Sequence, residues 1–306
     1  MKKILFLINP KAGAGKAQDQ LYMIVSSLSL YDYEVTVCPI IPARGLTSEK
    51  LLARGRGRFD MVLCYGGDGT FSHVVNGYMH EEYQIPLGYI PSGSTNDFAR
   101  SLGLPNSIGD SINLIVEETP FKIDAGLFND TYFGYVAAFG AFTEVSYDTN
   151  TGVKNAMGHM AYMLRAVTAI PDALTQKYDY KIIHDGIEEE GEYMFGAVSS
   201  TKSIGGFRFP GAERVDMCDG VFEVILVKRT KNIMEAQRVI SKLLGGSTDD
   251  ELIESFQTSS IRFETNEDVP WTLDGEFGGN VRNVDISIIE KAIPILVPSN
   301  HSNSGN

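Results

Sequence analysis

The chain is poor in cysteine, and its cysteines are scattered. Only three occur among 306 residues, at Cys38, Cys64 and Cys218. An odd number of widely spaced thiols excludes a disulfide framework and provides no CxxC pair for a metal, which favours a reducing, cytoplasmic environment. The five histidines are scattered as well and show no pairing typical of a zinc site.

Positive charge is also in short supply. Lys and Arg number 26 against 39 Asp and Glu, which gives a formal net charge of −13. Proteins that bind nucleic acid usually carry a basic face, so nucleic acid is not expected as a partner. An anionic ligand would have to be attracted by local groups rather than by the overall field of the protein.

Long apolar runs are absent. No stretch approaches the roughly 20 residues of a membrane span, so any stable membrane contact is expected to be peripheral. The apolar start, "ILFLI", is shorter than a secretory signal core of about 7–15 residues. It predicts a buried first strand instead.

Over residues 1–122, short apolar runs alternate with helical patterns. This repeated strand-helix order predicts an α/β domain with a parallel sheet and helices on its faces. The expected strands are 3–8, 34–38, 60–65 and 85–90, and the expected helices lie near 21–28, 70–78, 95–102 and 107–118.

Residues 123–290 differ in character, because strand-like runs follow one another with few helices between them. This pattern predicts an antiparallel, β-sandwich-like second domain. "GIEEEGE" (186–192) is expected to be an exposed acidic hairpin, and the polar residues 299–306 a disordered tail. The expected strands are 121–128, 131–140, 177–184, 192–201, 220–228, 258–264 and 283–289, with helices near 153–170 and 231–245.

Three strand ends of the first domain carry glycine-rich loops that open a helix: "NPKAGAGK" (9–16), "GGDGT" (66–70) and "PSGSTND" (91–97). At such ends an α/β sheet presents helix N-terminal amides to a phosphate. An ordinary N-capped turn explains each loop taken alone, but three of them at one sheet edge favour a phosphate site. The candidate ligand-binding residues are Asn9, Pro10, Lys11, Ala12, Gly13, Gly66, Gly67, Asp68, Gly69, Thr70, Gly93, Ser94, Asn96 and Asp97.

The local conformation of these loops can also be predicted. Gly66, Gly67 and Gly69 can adopt positive φ, and in that conformation their amides would form an anion nest. Ser94 or Thr95 is expected to cap the helix that follows the third loop. The first loop is not a Walker A loop, because that pattern requires Gly at position 10 and Ser or Thr at 17.

Two further segments carry carboxylates. "LDGE" (273–276) is typical of a type I′ hairpin, because Asp-Gly stands between apolar runs. Alternatively, Asp274 and Glu276 lie two residues apart on extended backbone, so that their side chains share a face. Phosphoryl transfer to an alcohol can use such a pair, with one carboxylate accepting the hydroxyl proton and the other helping to hold a metal ion. "DMCDG" (216–220) indicates a turn into a strand.

Together, the three loops resemble the nucleotide-site motifs of the diacylglycerol kinase catalytic-domain family, which includes bacterial diacylglycerol kinases and sphingosine kinases. Later segments match in order: "KNAMGHMAYMLRA" (154–166), "DMCDGVFEVILV" (216–227) and "TLDGEFGG" (272–279). The resemblance implies a first domain similar to those of NAD kinases and phosphofructokinases, which are Rossmann-like. It also implies a cleft between the domains and a C-terminal segment, about 290–298, that packs back on the first domain.

The implied activity is transfer of the γ-phosphate of ATP to a lipid hydroxyl, with Mg²⁺ as cofactor. Diacylglycerol is the first expected substrate, and the protein would reach it by transient peripheral contact with a membrane. Whether the protein forms a homodimer is left open. Another kinase with the GGDGT motif, such as one acting on NAD, and a non-catalytic nucleotide- or lipid-binding regulator are the alternatives.

The same resemblance implies residue roles. Asp274 or Glu276 would be the catalytic base, and Asp68 would lie near Mg²⁺. A structural Mg²⁺ would use the Asp219 side chain with the carbonyls of Asp216 and Val221. Three departures from the family pattern stand out, namely Ser94 in place of Thr, Ile41 near the position of a nucleotide-contacting Thr, and the longer segment 209–215. Asp97 and Asp124 rank second as site residues.

Overall fold

The computed structural model describes residues 1–94, 96–117, 120–140, 177–201, 203–204, 207–208 and 217–298. The chain divides into two compact units. The first comprises Met1–Ile123 and Lys291–Asn306, and the second comprises Asp124–Glu290. The sequence predicted a domain boundary after residue 122, and the first unit's N-terminal segment ends at Ile123. The expected helix near 153–170 and the expected disordered tail lie outside the described residues.

The first unit contains a parallel sheet. Its strands are β1 (Lys2–Ile8), β2 (Tyr33–Pro39), β3 (Met61–Gly66) and β4 (Leu87–Pro91), and they pair in the order β2-β1-β3-β4. Every one of these pairings is parallel. The C-terminal stretch adds one parallel pair, Ile295 with Leu87. β3 is buried along its whole length, as its unbroken apolar run predicts.

The helices of the first unit follow these strands. They are α1 (Ala17–Leu30), α2 (Ser48–Gly55), α3 (Asp68–His80), α4 (Asp97–Ser101) and α5 (Ile108–Glu117). Sequence reasoning missed α2, because its eight residues contain only two large apolar side chains. The hydroxyl of Thr47 caps α2 by accepting the Lys50 N–H at 3.4 Å.

The second unit is built mainly from antiparallel strands. The elements are β5 (Pro120–Phe128), which begins in the first unit, β6 (Thr131–Phe133), β7 (Val136–Gly140), β8 (Tyr178–His184), β9 (Ile187–Ser199), β10 (Ser203–Ile204), β11 (Phe207–Arg208), β12 (Phe222–Lys228), α6 (Ile233–Leu244), β13 (Ile253–Thr258), β14 (Ser260–Leu273) and β15 (Glu276–Leu296), which ends in the first unit. Strands β13, β12, β9, β7, β14 and β15 are neighbours in that order, and β8 pairs with both β9 and β14.

Several strand predictions for the second unit need correction. The stretch 131–140 forms two strands rather than one. The acidic segment 186–192 is strand from Ile187 onward, and the hairpin turns at Asp185 and Gly186, both at positive φ. Sequence reasoning also missed β13, in which the only large apolar residues, Ile253 and Phe256, stand three positions apart and do not alternate.

The core of the second unit is rich in aromatic rings. Trp271, the only tryptophan of the chain, is fully buried. Its ring centroid lies 4.9 Å from that of Phe139, 5.2 Å from that of Phe263 and 5.2 Å from that of Phe128. In the part of the chain that the structure describes, no helix is long and apolar enough to cross a membrane.

The aromatic core leads to a stability prediction. Replacing the buried Phe263 by Ala should lower the free energy of unfolding by about 3–5 kcal/mol, because it removes ring contacts and leaves a cavity. Urea unfolding followed by Trp271 fluorescence measures this. Ile187→Ala, at a side chain that is 48% exposed, is the control and should change stability by less than about 0.5 kcal/mol. Equal midpoints for the two variants would contradict the prediction.

Candidate functional site

The three glycine-rich loops come together at the carboxyl edge of the parallel sheet, as their positions predicted. We call them loop 1 (9–16), loop 2 (66–70) and loop 3 (91–97). The Gly13 N–H donates to the Ser92 carbonyl at 2.9 Å, and the Ser92 N–H donates to the Gly66 carbonyl at 2.8 Å. Ser92 therefore ties all three loops together through its backbone, a role that its residue type does not reveal.

A side-chain link between loops 1 and 2 runs through Asn9. Its Nδ2 donates to the Thr70 hydroxyl at 2.8 Å, and its Oδ1 accepts the Lys11 N–H at 3.0 Å. Its backbone N–H donates to the Tyr65 carbonyl at 3.0 Å. Asn9 thereby fixes the course of loop 1 as the chain leaves β1. Thr70 is the third residue of α3, whose N-cap position is occupied by Gly67.

The expected nest of positive-φ glycines in loop 2 is wrong, since Gly66, Gly67 and Gly69 do not have positive φ. The glycines allow close packing instead. A Cβ on Gly66 would lie 2.5 Å from the Thr70 Cβ. A Cβ on Gly93 would lie 2.7 Å from the Gly67 Cα, which is backbone and cannot move aside cheaply. Positive φ occurs in loop 1, at Gly13 (66°) and Gly15 (86°).

Asp68 is the first residue of α3 and reaches across to α4, the helix that follows loop 3. Its Oδ1 accepts the Phe98 N–H, in the first turn of α4, at 3.4 Å. Tyr89 of β4 lies within the field of this carboxylate. Burial, and secondarily the charge of Asp68, raises the pKa of Tyr89 well above its ordinary value. This contact joins the start of α3 to the first turn of α4.

The start of α4 differs from the prediction. Asn96, not Ser94, occupies the N-cap position, and it has left-handed backbone (φ 50°, ψ 48°) with no side-chain bond to the helix. Its side chain instead closes loop 3 on itself. Asn96 Oδ1 accepts the Gly93 N–H at 2.8 Å, and Asn96 Nδ2 donates to the Gly93 carbonyl at 3.0 Å. Thr95 lies outside the described residues.

Several residues of the loops face solvent. Pro10, Lys11, Gly93 and Ser94 are exposed, as is Lys16 just before α1. Asn9, Ala12, Gly13, Gly67, Asp68, Gly69, Thr70, Asn96 and Asp97 are half-buried, and Gly66 is buried. Two exposed lysines beside closely packed backbone amides fit a phosphorylated ligand.

The "LDGE" segment is a two-residue hairpin, as one of the two interpretations predicted. Asp274 and Gly275 both have positive φ, 51° and 85°, and Leu273 pairs with Glu276 across the turn. These angles are those of a type I′ turn. The premise that Asp274 and Glu276 share a face of extended backbone is wrong, because Asp274 belongs to the turn itself.

The two carboxylates therefore have different surroundings. Asp274 is only 4% exposed, and three backbone amides donate to it: Gly134 N–H to Oδ2 at 2.7 Å, and Tyr135 and Val136 N–H to Oδ1 at 2.9 and 3.1 Å. Glu276 is exposed. Sequence analysis had no signal for these bonds, because they join residues about 140 positions apart.

The turn at 216–220, which the family resemblance assigns to a structural Mg²⁺, is bonded to β5 through Asp124. Asp124, which is buried, accepts the Gly220 N–H at 2.9 Å, and its own N–H donates to the Met217 carbonyl at 2.7 Å. Asp219 Oδ1 accepts the Val221 N–H at 3.2 Å. Asp216 lies outside the described residues. Within those residues, no group of three or more His, Cys, Asp or Glu side chains is arranged to hold a metal.

Comparisons with known proteins give a consistent result. Residues 3–128 match the family model described as the diacylglycerol kinase catalytic domain. Residues 135–297 match the model described as the YegS C-terminal NAD kinase β-sandwich-like domain. The architecture is therefore a catalytic domain of this kind followed by a β-rich, sandwich-like domain.

Individual relatives match over nearly the full chain. The diacylglycerol kinase of Bacillus subtilis (strain 168) is 31% identical, and the match covers 91% of each chain. The diacylglycerol kinase of Staphylococcus aureus (strain MRSA252) is 29% identical over 97% of this chain and 93% of its own. A solved structure from Bacillus anthracis str. Sterne is similar with a TM-score of 0.83 and 26% identity, covering 98% of this chain and 96% of that one.

The packing of loops 2 and 3 can be tested by adding one methyl group. Gly93→Ala should lower the free energy of unfolding by about 1–3 kcal/mol, because its Cβ would meet the backbone of Gly67. Gly109→Ala is the control, since a Cβ there meets nothing within 4 Å and Ala is the better helix former in α5. Thermal melting should show a lower Tm for the first variant only, and equal Tm values would contradict the packing argument.

The hairpin carboxylates should also differ in their effect on stability. Asp274→Asn should cost about 1–3 kcal/mol, because an amide cannot accept from all three N–H groups that bind the carboxylate. Glu276→Gln, at an exposed position, should leave the Tm unchanged. A Tm for Asp274→Asn equal to that of the wild-type protein would show that these amide bonds do not stabilise the fold.

Proposed function

The chain belongs to the diacylglycerol kinase catalytic-domain family, and from this premise we propose that it transfers the γ-phosphate of ATP to the hydroxyl of diacylglycerol, which gives phosphatidic acid. The observation that carries the proposal is the hydrogen-bonded convergence of loops 1, 2 and 3 beside two exposed lysines. The parallel order β2-β1-β3-β4 supports a Rossmann-like nucleotide domain similar to those of NAD kinases and phosphofructokinases.

The three loops would bind the phosphates of ATP. The bonds that join them fix their amides before a ligand arrives, so little ordering cost is left for binding. Lys11 and Lys16 would neutralise phosphate charge locally, which a chain of net charge −13 cannot do through its overall field. A loose phosphoryl-transfer transition state depends mainly on such positioning and charge neutralisation.

Mg²⁺, when bound, would neutralise charge that develops on the transferred phosphoryl group and its neighbours. Asp68 offers a carboxylate at the start of α3 for this ion. For a second, structural ion, the donors would be the Asp219 side chain and the carbonyls of Asp216 and Val221.

Asp274 and Glu276 would serve the lipid hydroxyl. One of them accepts its proton as the oxygen attacks the γ-phosphate, and the other helps to hold the metal. The three amides that bind Asp274 hold its carboxylate in one place, whereas Glu276 is open to solvent. The lipid would be taken from a membrane surface by transient peripheral contact.

A labelling experiment tests this function. Purified protein with γ-labelled ATP and Mg²⁺ is given diacylglycerol in mixed micelles, sphingosine, or NAD. Label is expected in phosphatidic acid. Labelled NADP would replace the proposal with an NAD kinase, and an absence of label from every substrate would favour a nucleotide- or lipid-binding regulator.

Variants of the hairpin test the assigned carboxylates. Asp274→Asn and Glu276→Gln should each lower kcat, and the variant that removes the proton acceptor should lower it by roughly 10²–10⁴-fold. Glu267→Gln, at an exposed carboxylate on β14, is the control and should keep full activity. Because Asp274→Asn should also be less stable, its rate is corrected for the folded fraction. Full activity in both variants would remove this pair from the mechanism.

A further inference from the structure

The base of loop 1 is occupied by Tyr65, the residue just before the GGDGT motif. Tyr65 is the fifth residue of β3, and its side chain is 0% exposed. A phenolic hydroxyl in such a position requires a hydrogen-bond partner. The partner is Gln20, because the Tyr65 hydroxyl donates to Gln20 Oε1.

Gln20 connects this bond to the start of α1. It lies in the first turn of the helix, and its N–H donates to the Lys16 carbonyl at 3.0 Å. The Tyr65–Gln20 bond therefore joins the end of a buried strand to the helix that loop 1 opens. Tyr65 also accepts the Asn9 N–H through its backbone carbonyl, so it contacts the beginning of loop 1 as well.

Gly13 lies against this pair. A Cβ on Gly13 would be 2.6 Å from the Tyr65 hydroxyl oxygen and 3.5 Å from Gln20 Oε1. From loop 3, the Ser92 carbonyl accepts the Gly13 N–H at 2.9 Å. Gly13 is thus held in place by the pair and by loop 3. Its φ of 66° is a conformation that most residues other than glycine avoid.

We propose that Tyr65 and Gln20 are positioning residues for nucleotide binding: their hydrogen bond holds Gly13 and the first turn of α1 where loop 1 receives the phosphates of ATP. The inference rests on the proposed function for the identity of the nucleotide. Neither side chain needs to touch the ligand, since Tyr65 is buried beneath the loop. Loss of the Tyr65–Gln20 hydrogen bond is expected to weaken the affinity for the nucleotide and to leave the affinity for the lipid unchanged.

Direct binding of a fluorescent ATP analogue tests the inference without requiring turnover. Tyr65→Phe, which removes only the hydroxyl, should raise the Kd for the analogue about 3- to 10-fold, the range for one lost neutral hydrogen bond. Gln20→Leu should have the same effect. The double variant Tyr65→Phe/Gln20→Leu should be no weaker than either single variant, because both remove the same interaction.

A matched control separates positioning from general stability. Tyr78 is also fully buried in the first unit, and its hydroxyl donates to the Ile85 carbonyl at 2.5 Å. Tyr78→Phe should lower the Tm about as much as Tyr65→Phe while leaving the Kd unchanged. Equal Kd values for the two variants would overturn the inference, and so would a double variant Tyr65→Phe/Gln20→Leu clearly weaker than either single variant.

The outcomes also distinguish this inference from the proposed function. A wild-type protein that binds the ATP analogue but phosphorylates no lipid would contradict the proposed function, while a weaker Tyr65→Phe variant would still support the positioning role. A wild-type protein that binds no ATP analogue would contradict both. In active protein, the KM for ATP should rise in Tyr65→Phe while the KM for diacylglycerol stays constant.

Discussion

The backbone groups at the ends of buried strands need hydrogen-bond partners, and the arrangement of the candidate site follows from how this chain supplies them. In the first unit, the loops after β1, β3 and β4 bond to one another through Gly13, Ser92 and Gly66. In the second unit, three consecutive amides before and within β7 donate to the Asp274 carboxylate. In both places, satisfying the backbone also fixes the groups that are candidates for binding and chemistry.

Glycine matters in these loops mainly because it lacks a side chain. Loops 2 and 3 approach so closely that a Cβ on Gly93 would lie 2.7 Å from the Gly67 Cα. Phosphate binding does not require the positive-φ nest that the glycine count of loop 2 suggested. Close backbone approach and helix starts already direct amides toward the sheet edge.

The hairpin at Asp274 has a structural role that is compatible with the proposed catalytic one. Asp274 closes a type I′ turn and accepts three amides, so it stabilises the fold locally. The same bonds give its carboxylate a fixed position, which a catalytic group also needs. Glu276, one residue beyond the turn, stays exposed. The hairpin thus presents two carboxylates in different environments, which is a common way to separate acid-base roles.

By itself, the sequence determined the parallel α/β order of the first unit, the strand-rich second unit, the three loops and the Asp-Gly turn. These features depend on local periodicity and turn chemistry, which act over a few residues. Only the tertiary structure decided that Asn96 closes loop 3, that Asp274 is buried under three amides, and that Tyr65 reaches Gln20 beneath loop 1. Except for the bond of Asn96 to Gly93, these contacts join residues between 45 and about 140 positions apart, and no local spacing specifies such pairings. The short α2 and the mainly polar β13 were missed for a related reason, since their packing partners, and not their own patterns, stabilise them.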